Sequence, residues 1–140
     1  MIFTASLLAM ALPACQILTI ADVQKVAGVA VTIDPSQSGP ADDGWDYCAW
    51  KTPDGRFVIL GVGPKASYAS VLVQAFGGGP AAQTIAGVGD EARYRDYTGG
   101  LKGGVVVVRA GLVVFTLEGP MPRAEVLGLS NLVLARIGSH

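Results

Sequence analysis

Ile20, Val23, Val26 and Ala27 recur at intervals of three and four, the spacing that gathers apolar side chains on one face of a helix. Thr19 precedes them as a cap, Asp22 stands three residues on, and Leu18 with Val23 completes a hydrophobic staple. Gly28 ends the helix. Residues 30–33 predict a short strand. Residues 34–46, DPSQSGPADDGWD, are polar and without periodicity, which predicts a loop. Residues 47–51 predict a strand with Cys48 and Trp50 on one face and Tyr47 and Lys51 on the other. Pro53, Asp54 and Gly55 form a tight turn. Residues 57–62 are apolar at every position, and Gly63 and Pro64 break that run. Tyr68, Val71, Leu72, Ala75 and Phe76 mark a second helix, stopped by the glycines at 77–79 and Pro80.

The second half repeats this order. Residues 82–85 and 90–98 predict strands, and a glycine-rich loop follows. Residues 105–109 and 112–117 predict a hairpin around Ala110 and Gly111. Pro122 opens a third helix with Val126, Leu129, Leu132, Val133 and Ile137 at helical spacing. Strand, Gly-Pro, helix thus occurs twice, in VILGVGPKAS and VFTLEGPMPRAE. A weak internal duplication and convergent use of Gly-Pro as a breaker account for this equally well. Strands that are apolar at successive positions need cover on both faces. The expectation is a single α+β domain with a mainly antiparallel sheet of about six strands, three helices and the order α-βββ-α-βββ-α.

Composition narrows the setting. The chain has 140 residues, of which 51% are hydrophobic and 15% charged. That length suffices for one domain with its own core. Ten basic against eleven acidic residues leave no basic stripe for a phosphate backbone, which argues against nucleic acid as a partner. No second apolar run is long enough to span a bilayer. Residues 1–11 predict a signal peptide: an apolar stretch is followed by Ala9-Met10-Ala11, a small-residue box. Its first residues lack the usual Lys or Arg. The mature domain would then cover 12–140, in the periplasm, in the envelope or outside the cell.

In an exported chain two cysteines are read first as a bridge, here Cys15 to Cys48. Leu12-Pro13-Ala14-Cys15 also resembles a lipid-attachment motif, with an unusual proline. Lipidation would use up Cys15 and leave Cys48 unpaired, so the two fates exclude each other, and the disulfide ranks first.

Recognisable chemistry is sparse. Two cysteines and His140 cannot supply four zinc ligands, so neither a metal nor a cofactor is expected. Gly87–Ala92, GVGDEA, superficially suggests a phosphate loop, but Asp90 and Glu91 would repel an anion; a glycine bend fits better. Asp42, Asp43 and Asp46 lack an EF-hand spacing. The serines at 36, 38, 67, 130 and 139 stand in no nucleophile elbow. Lys25, Lys51, Lys65 and Lys102 lie in polar or glycine-rich settings that suggest exposure and ordinary basicity. Arg93, Arg95 and Asp96 read as exposed strand charges. Trp50 is expected beside the disulfide, which leaves Trp45 and Tyr47 freer to meet a partner.

CQILTIADVQKVAG, CAW and IAGVGDEARY together resemble a family of bacterial exported proteins and lipoproteins of unknown function, common in actinobacteria. The resemblance runs from about Cys15 to Ile137. It implies that Cys15 and Cys48 match a cysteine pair, and it brings no catalytic residues. In its lipoprotein members a separate lipidated cysteine comes earlier, and none stands here.

The function expected from the sequence is non-catalytic: an exported or envelope protein that binds a partner protein or a small apolar ligand through Trp45 and Tyr47. The alternatives are a hydrolase or transferase without a recognisable motif, and a structural accessory protein. The sequence leaves the oligomeric state open.

Overall fold

The computed structural model describes residues 12–78 and 80–137. The leader expected over 1–11, and with it any signal-peptide boundary, lies outside the described residues, as do Ser139 and His140. Among the described residues, four α-helices and eight strands follow in the order α1 (Ala14–Ile17), α2 (Ile20–Ala27), β1 (Thr32–Ile33), β2 (Gly39–Pro40), β3 (Asp46–Lys51), β4 (Phe57–Pro64), α3 (Tyr68–Phe76), β5 (Gln83–Thr84), β6 (Glu91–Asp96), β7 (Gly104–Ala110), β8 (Val113–Gly119) and α4 (Arg123–Ile137). The strands form one sheet, β1-β3-β4-β8-β7-β6-β5, with β2 also paired to β3. Every pairing is antiparallel. The α+β class is as the pattern predicts, and the counts are higher. The additions are short: two-residue β2 lies inside the polar 34–46 stretch, and one-turn α1 precedes Thr19. Neither is long enough to display a period.

Strand order reads symmetrically outward from β8. Each flank is a long hairpin, β3-β4 or β6-β7, edged by a two-residue strand. The helices preceding the two flanks pack on opposite faces, Val23 of α2 in one core and Val71 of α3 in the other. The two strand, Gly-Pro, helix units of the sequence are β4 with α3 and β8 with α4, and their strands lie side by side in the sheet.

Rungs of the sheet assign the faces. Cys48, Leu60, Leu117, Val106 and Tyr94 align on one face. They form the main core with α1, α2 and α4. All five are buried, as are Ala14, Ile17 and Leu18 at the N-terminal end and Val126, Leu129 and Val133 of α4. Tyr47, Gly61, Thr116, Val107 and Arg93 align on the other face, where only α3 covers the sheet. The central strands thus have helices on both faces, three on one and α3 alone on the other.

Cys15 and Cys48 are disulfide-bonded, with Cα atoms 5.0 Å apart. The bond ties α1 to the centre of β3. Asp46 of the same strand accepts the Ala14 N–H at 2.6 Å, so one of the three clustered aspartates serves as an anchor for α1. Trp50 is fully buried in the same core, as expected.

The predicted capping box is present. The Thr19 hydroxyl accepts the Asp22 N–H, and the Asp22 carboxylate accepts the Thr19 N–H at 2.8 Å. Gly28 adopts φ +76° at the C-terminal end. Arg136 of α4 donates to Asp22 at 2.6 Å and to the Ile17 carbonyl at 2.5 Å, locking α4 over the α1–α2 joint. This Arg136 hydrogen bond is the main reason the Asp22 carboxyl titrates at about 2 rather than 3.8, with burial opposing it. A carboxyl depressed on folding stabilises the native state above its unfolded pKa near ~4, and that contribution is lost as pH falls through about 2. The pair is partly solvated, so Asp22→Asn is expected to cost only ~1 kcal/mol at neutral pH. Urea midpoints of the two proteins should converge between pH 4 and pH 2; a gap that stays constant over that interval would contradict this role.

Candidate functional site

A groove of about 270 Å³ opens on the thinly covered face, between α3 and the sheet. Its construction begins with two glycines. Gly63 and Gly61 of β4 lie two residues apart; Gly61 pairs with Tyr47 across the β3–β4 ladder, and Gly63 lies against the Trp45 ring. Neither has a side chain, so both rings settle onto the β4 backbone. A Cβ at Gly63 would stand 2.2 Å from the Trp45 ring, and one at Gly61 2.7 Å from the Tyr47 ring. The rings stack on each other with centroids 6.0 Å apart and planes 18° from parallel. Gly63 and Pro64 are the last two residues of β4, which ends two positions later than the sequence predicts.

Trp45 is correspondingly less free than its loop position suggests. It is only 5% exposed, packed against Val71, Val107 and Val114, and its indole N–H donates to the Ser67 hydroxyl at 3.3 Å. Tyr47 is half-buried. Burial first, and then the Asp43 carboxylate, pushes its hydroxyl pKa upward. Both residues line the groove, so the structure brings together the two aromatics singled out in the sequence.

Helix α3 forms the opposite wall with Ser67 just before it and Ser70, Val71, Gln74 and Ala75 within it. The helix is held at both ends by the charged residues of β6. At its start the Tyr68 hydroxyl donates to Glu91 at 2.5 Å, Arg93 and Arg109 pair with the same carboxylate at 3.1 and 3.8 Å, and the Arg109 guanidinium lies over the Tyr68 ring. The Tyr68 hydroxyl is pushed up to about 12 by burial and Glu91, and Glu91 is lowered chiefly by accepting that hydrogen bond. At its end Gly77 stays right-handed, so no glycine turn satisfies the last carbonyls. Arg95 does so instead, donating to the carbonyls of Ala75, Gly78 and Pro80 while its guanidinium lies over Phe76. Arg95, expected as an exposed strand charge, is thus a tie between sheet and helix; Arg93, expected likewise, keeps a partly exposed side chain and pairs with Glu91 of its own strand, and Asp96 is exposed and accepts the Tyr94 hydroxyl at 2.8 Å.

The far end of the groove is built by Val105, Thr116 and Glu118. Glu118 accepts the Tyr97 hydroxyl at 2.8 Å, and burial followed by Glu118 raises the Tyr97 pKa strongly. Asp43 stands at the Trp45 end. Asp43 and Glu118 are the carboxylates of the lining, and no described cation pairs with either within 4.0 Å.

The lining offers π-faces, hydroxyls, an amide and carboxylates. Ser67 accepts from Trp45, and Ser70 donates to the Ser67 carbonyl at 3.0 Å; neither has a basic partner among the described residues. Such a set can bind through stacking and hydrogen bonds. No group of three or more potential metal ligands occurs among the described residues.

The GVGDEA segment lies away from the groove floor. Gly89, at φ +60°, brings the chain so close to β7 that a Cβ would meet the Arg109 carbonyl at 2.8 Å. The Asp90 carboxylate then accepts the Gly111 N–H of the β7–β8 turn at 2.8 Å. The motif is a bend that docks β6 onto this hairpin.

Ser70, Gln74, Thr116 and Glu118 escaped the sequence reading, and Ser67 entered it only as a serine without a nucleophile motif. One signal for them is the strand VVFTLEG, where Thr116 and Glu118 alternate with the buried Phe115 and Leu117. The other is the period-two match between Gly61, Gly63 and Trp45, Tyr47.

No protein-family model, curated protein or solved structure matches this chain.

Proposed function

We propose that the protein is an exported or cell-envelope binding protein without catalytic activity, and that the groove between α3 and the sheet is its binding site. The groove itself carries this reading. It is walled by a helix fixed at both ends and floored by aromatic rings laid on glycines, an arrangement that costs little reordering on binding. Its volume lies just under the ~300–1,000 Å³ usual for small-molecule sites. That suits a compact ligand or one side chain of a partner protein. Hydroxyls, carboxylates and an amide along the walls favour an occupant with a polar end over a purely apolar one.

Export is supported by the apolar leader with its small-residue box and by the disulfide, a bond that persists in oxidising compartments. Among the described residues no helix is long and apolar enough to cross a membrane. Membership of the actinobacterial family of exported proteins and lipoproteins remains part of this proposal. It is supported by the positions of the resembling segments: the two cysteines are joined, CAW lies in β3, and IAGVGDEARY forms the bend into β6.

Native mass spectrometry of the protein recovered from its own envelope tests the binding role. A retained mass of a few hundred daltons or a stoichiometric partner is expected. An unliganded monomer after gentle isolation, with turnover of ester or amide substrates that is lost in Ser67→Ala, would replace the binding reading with the hydrolase one.

A further inference from the structure

The charge of the groove narrows its ligand. Asp43 and Glu118 stand in its lining together with the aromatic pair, and the lining contains no lysine, arginine or histidine. Four arginines, Arg56, Arg93, Arg95 and Arg109, are committed to other groups. Arg95 is bound to the carbonyls at the end of α3. Arg93 and Arg109 share Glu91. Arg56 lies over the Tyr97 ring and donates to the Lys102 carbonyl at 2.8 Å. Glu118 spends one hydrogen bond on Tyr97, which leaves further acceptor capacity on a carboxylate. Asp43 lies near enough to Tyr47 for its charge to raise the tyrosine pKa, so negative charge and a π-face adjoin at that end. Aromatic faces beside unpaired carboxylates attract organic cations, and aromatic cages for ammonium groups use this combination.

Resting on the groove as the binding site, we propose that its ligand carries an alkylammonium group, with the ammonium held by Glu118 or Asp43 and its aliphatic chain laid against Val105, Val71 and the Tyr47 ring. Hydroxyls of Ser70 and Thr116 can accept the remaining N–H donors. The same chemistry is offered by a free aliphatic amine and by a lysine side chain of a partner.

Isothermal titration of the disulfide-bonded chain with four probes tests this: n-butylammonium, N-acetyl-lysine amide, n-butanol and butyrate. Titration is followed in parallel by tryptophan and tyrosine fluorescence. At least one of the two ammonium probes should bind about tenfold more tightly than butanol, a difference within reach of one cation–π contact with a carboxylate. Which of them binds better separates the free amine from the lysyl source. Glu118→Gln keeps an acceptor for Tyr97, and Asp43→Asn alters an exposed loop residue; one of them should weaken ammonium binding about fivefold or more. Butanol or butyrate binding as well as the amines would overturn the inference and leave the groove reading standing. Equal ammonium affinity in both variants would also overturn it. If none of the four binds, the inference fails, and the groove reading then falls only if the natural occupant maps elsewhere.

Discussion

Removing the bond between Cys15 and Cys48 is expected to destabilise the protein by ~3–4 kcal/mol. The bridge spans 33 residues, and loop-closure entropy for a loop of that length gives about 3.7 kcal/mol. The geometry also makes the loss directional. Ala14, Ile17 and Leu18 are buried against the sheet and α4, but α1 is a single turn with little helical stability of its own. Besides the disulfide, the N–H of Ala14 on Asp46 and the carbonyl of Ile17 on Arg136 hold it in place. Cys48 has no exposed surface, so a serine there would bury a hydroxyl; the double variant Cys15→Ala/Cys48→Ala isolates the cross-link more cleanly. Urea unfolding should show the lower midpoint, and hydrogen exchange should quicken first over residues 14–18. A double variant within ~1 kcal/mol of the parent would contradict the assigned role, as would two reactive thiols in the unreduced, unfolded protein.

Gly63→Ala is expected to cost ~1–3 kcal/mol, the range for forcing extra volume into a filled site. The added methyl would overlap the Trp45 ring, and Trp45 cannot retreat without leaving Val71, Val107 and Val114. The ring must move, the stack on Tyr47 must open, and the hydrogen bond to Ser67 must break. Two readouts separate this from ordinary overpacking. Near-ultraviolet circular dichroism should lose the aromatic signal of the pair, and ligand affinity should drop. Gly128→Ala is a suitable control, because nothing stands within 4 Å of the position its Cβ would take; in helix α4 it should be neutral or slightly stabilising. Unchanged aromatic dichroism in Gly63→Ala would mean that the rings do not rest on β4 as described.

Much of the fold was legible because its helices keep helical spacing and its long strands are apolar runs bounded by turn residues. The α2 helix declared itself through Thr19, Asp22 and Gly28, all of which act as local rules require. The long strands and α3 fall within a few residues of the expected bounds for the same reason. What the chain concealed is short or tertiary. Strands of two residues carry no alternation, and α1 depends on a disulfide and on Asp46 from another element. The end of α3 is set by Arg95, 18 positions beyond Gly77, so the glycine run was a correct marker with an incomplete cause.

The groove was half legible. Trp45 and Tyr47 stood out by type, yet Trp45 is buried because its ring lies on Gly63, which had looked like the end of a strand. Helix α3 and β8 supply the remaining walls through contacts of high sequence separation, such as Tyr68 with Glu91 and Tyr97 with Glu118. No periodicity within one segment records which strands become neighbours. The strand order is symmetric about β8, while the helices that precede the two flanks cover opposite faces.

The central claim is that the face covered by α3 alone is the one that binds. Amide chemical-shift mapping of the labelled protein against a small-molecule extract of its own envelope tests this most directly. The account predicts shifts concentrated at Ser67 to Ala75, Asp43 to Tyr47 and Val105, Thr116 and Glu118, with α2 and α4 unmoved. Shifts centred on α2 and α4, or saturating binding that leaves Tyr47, Gln74 and Thr116 untouched, would contradict it.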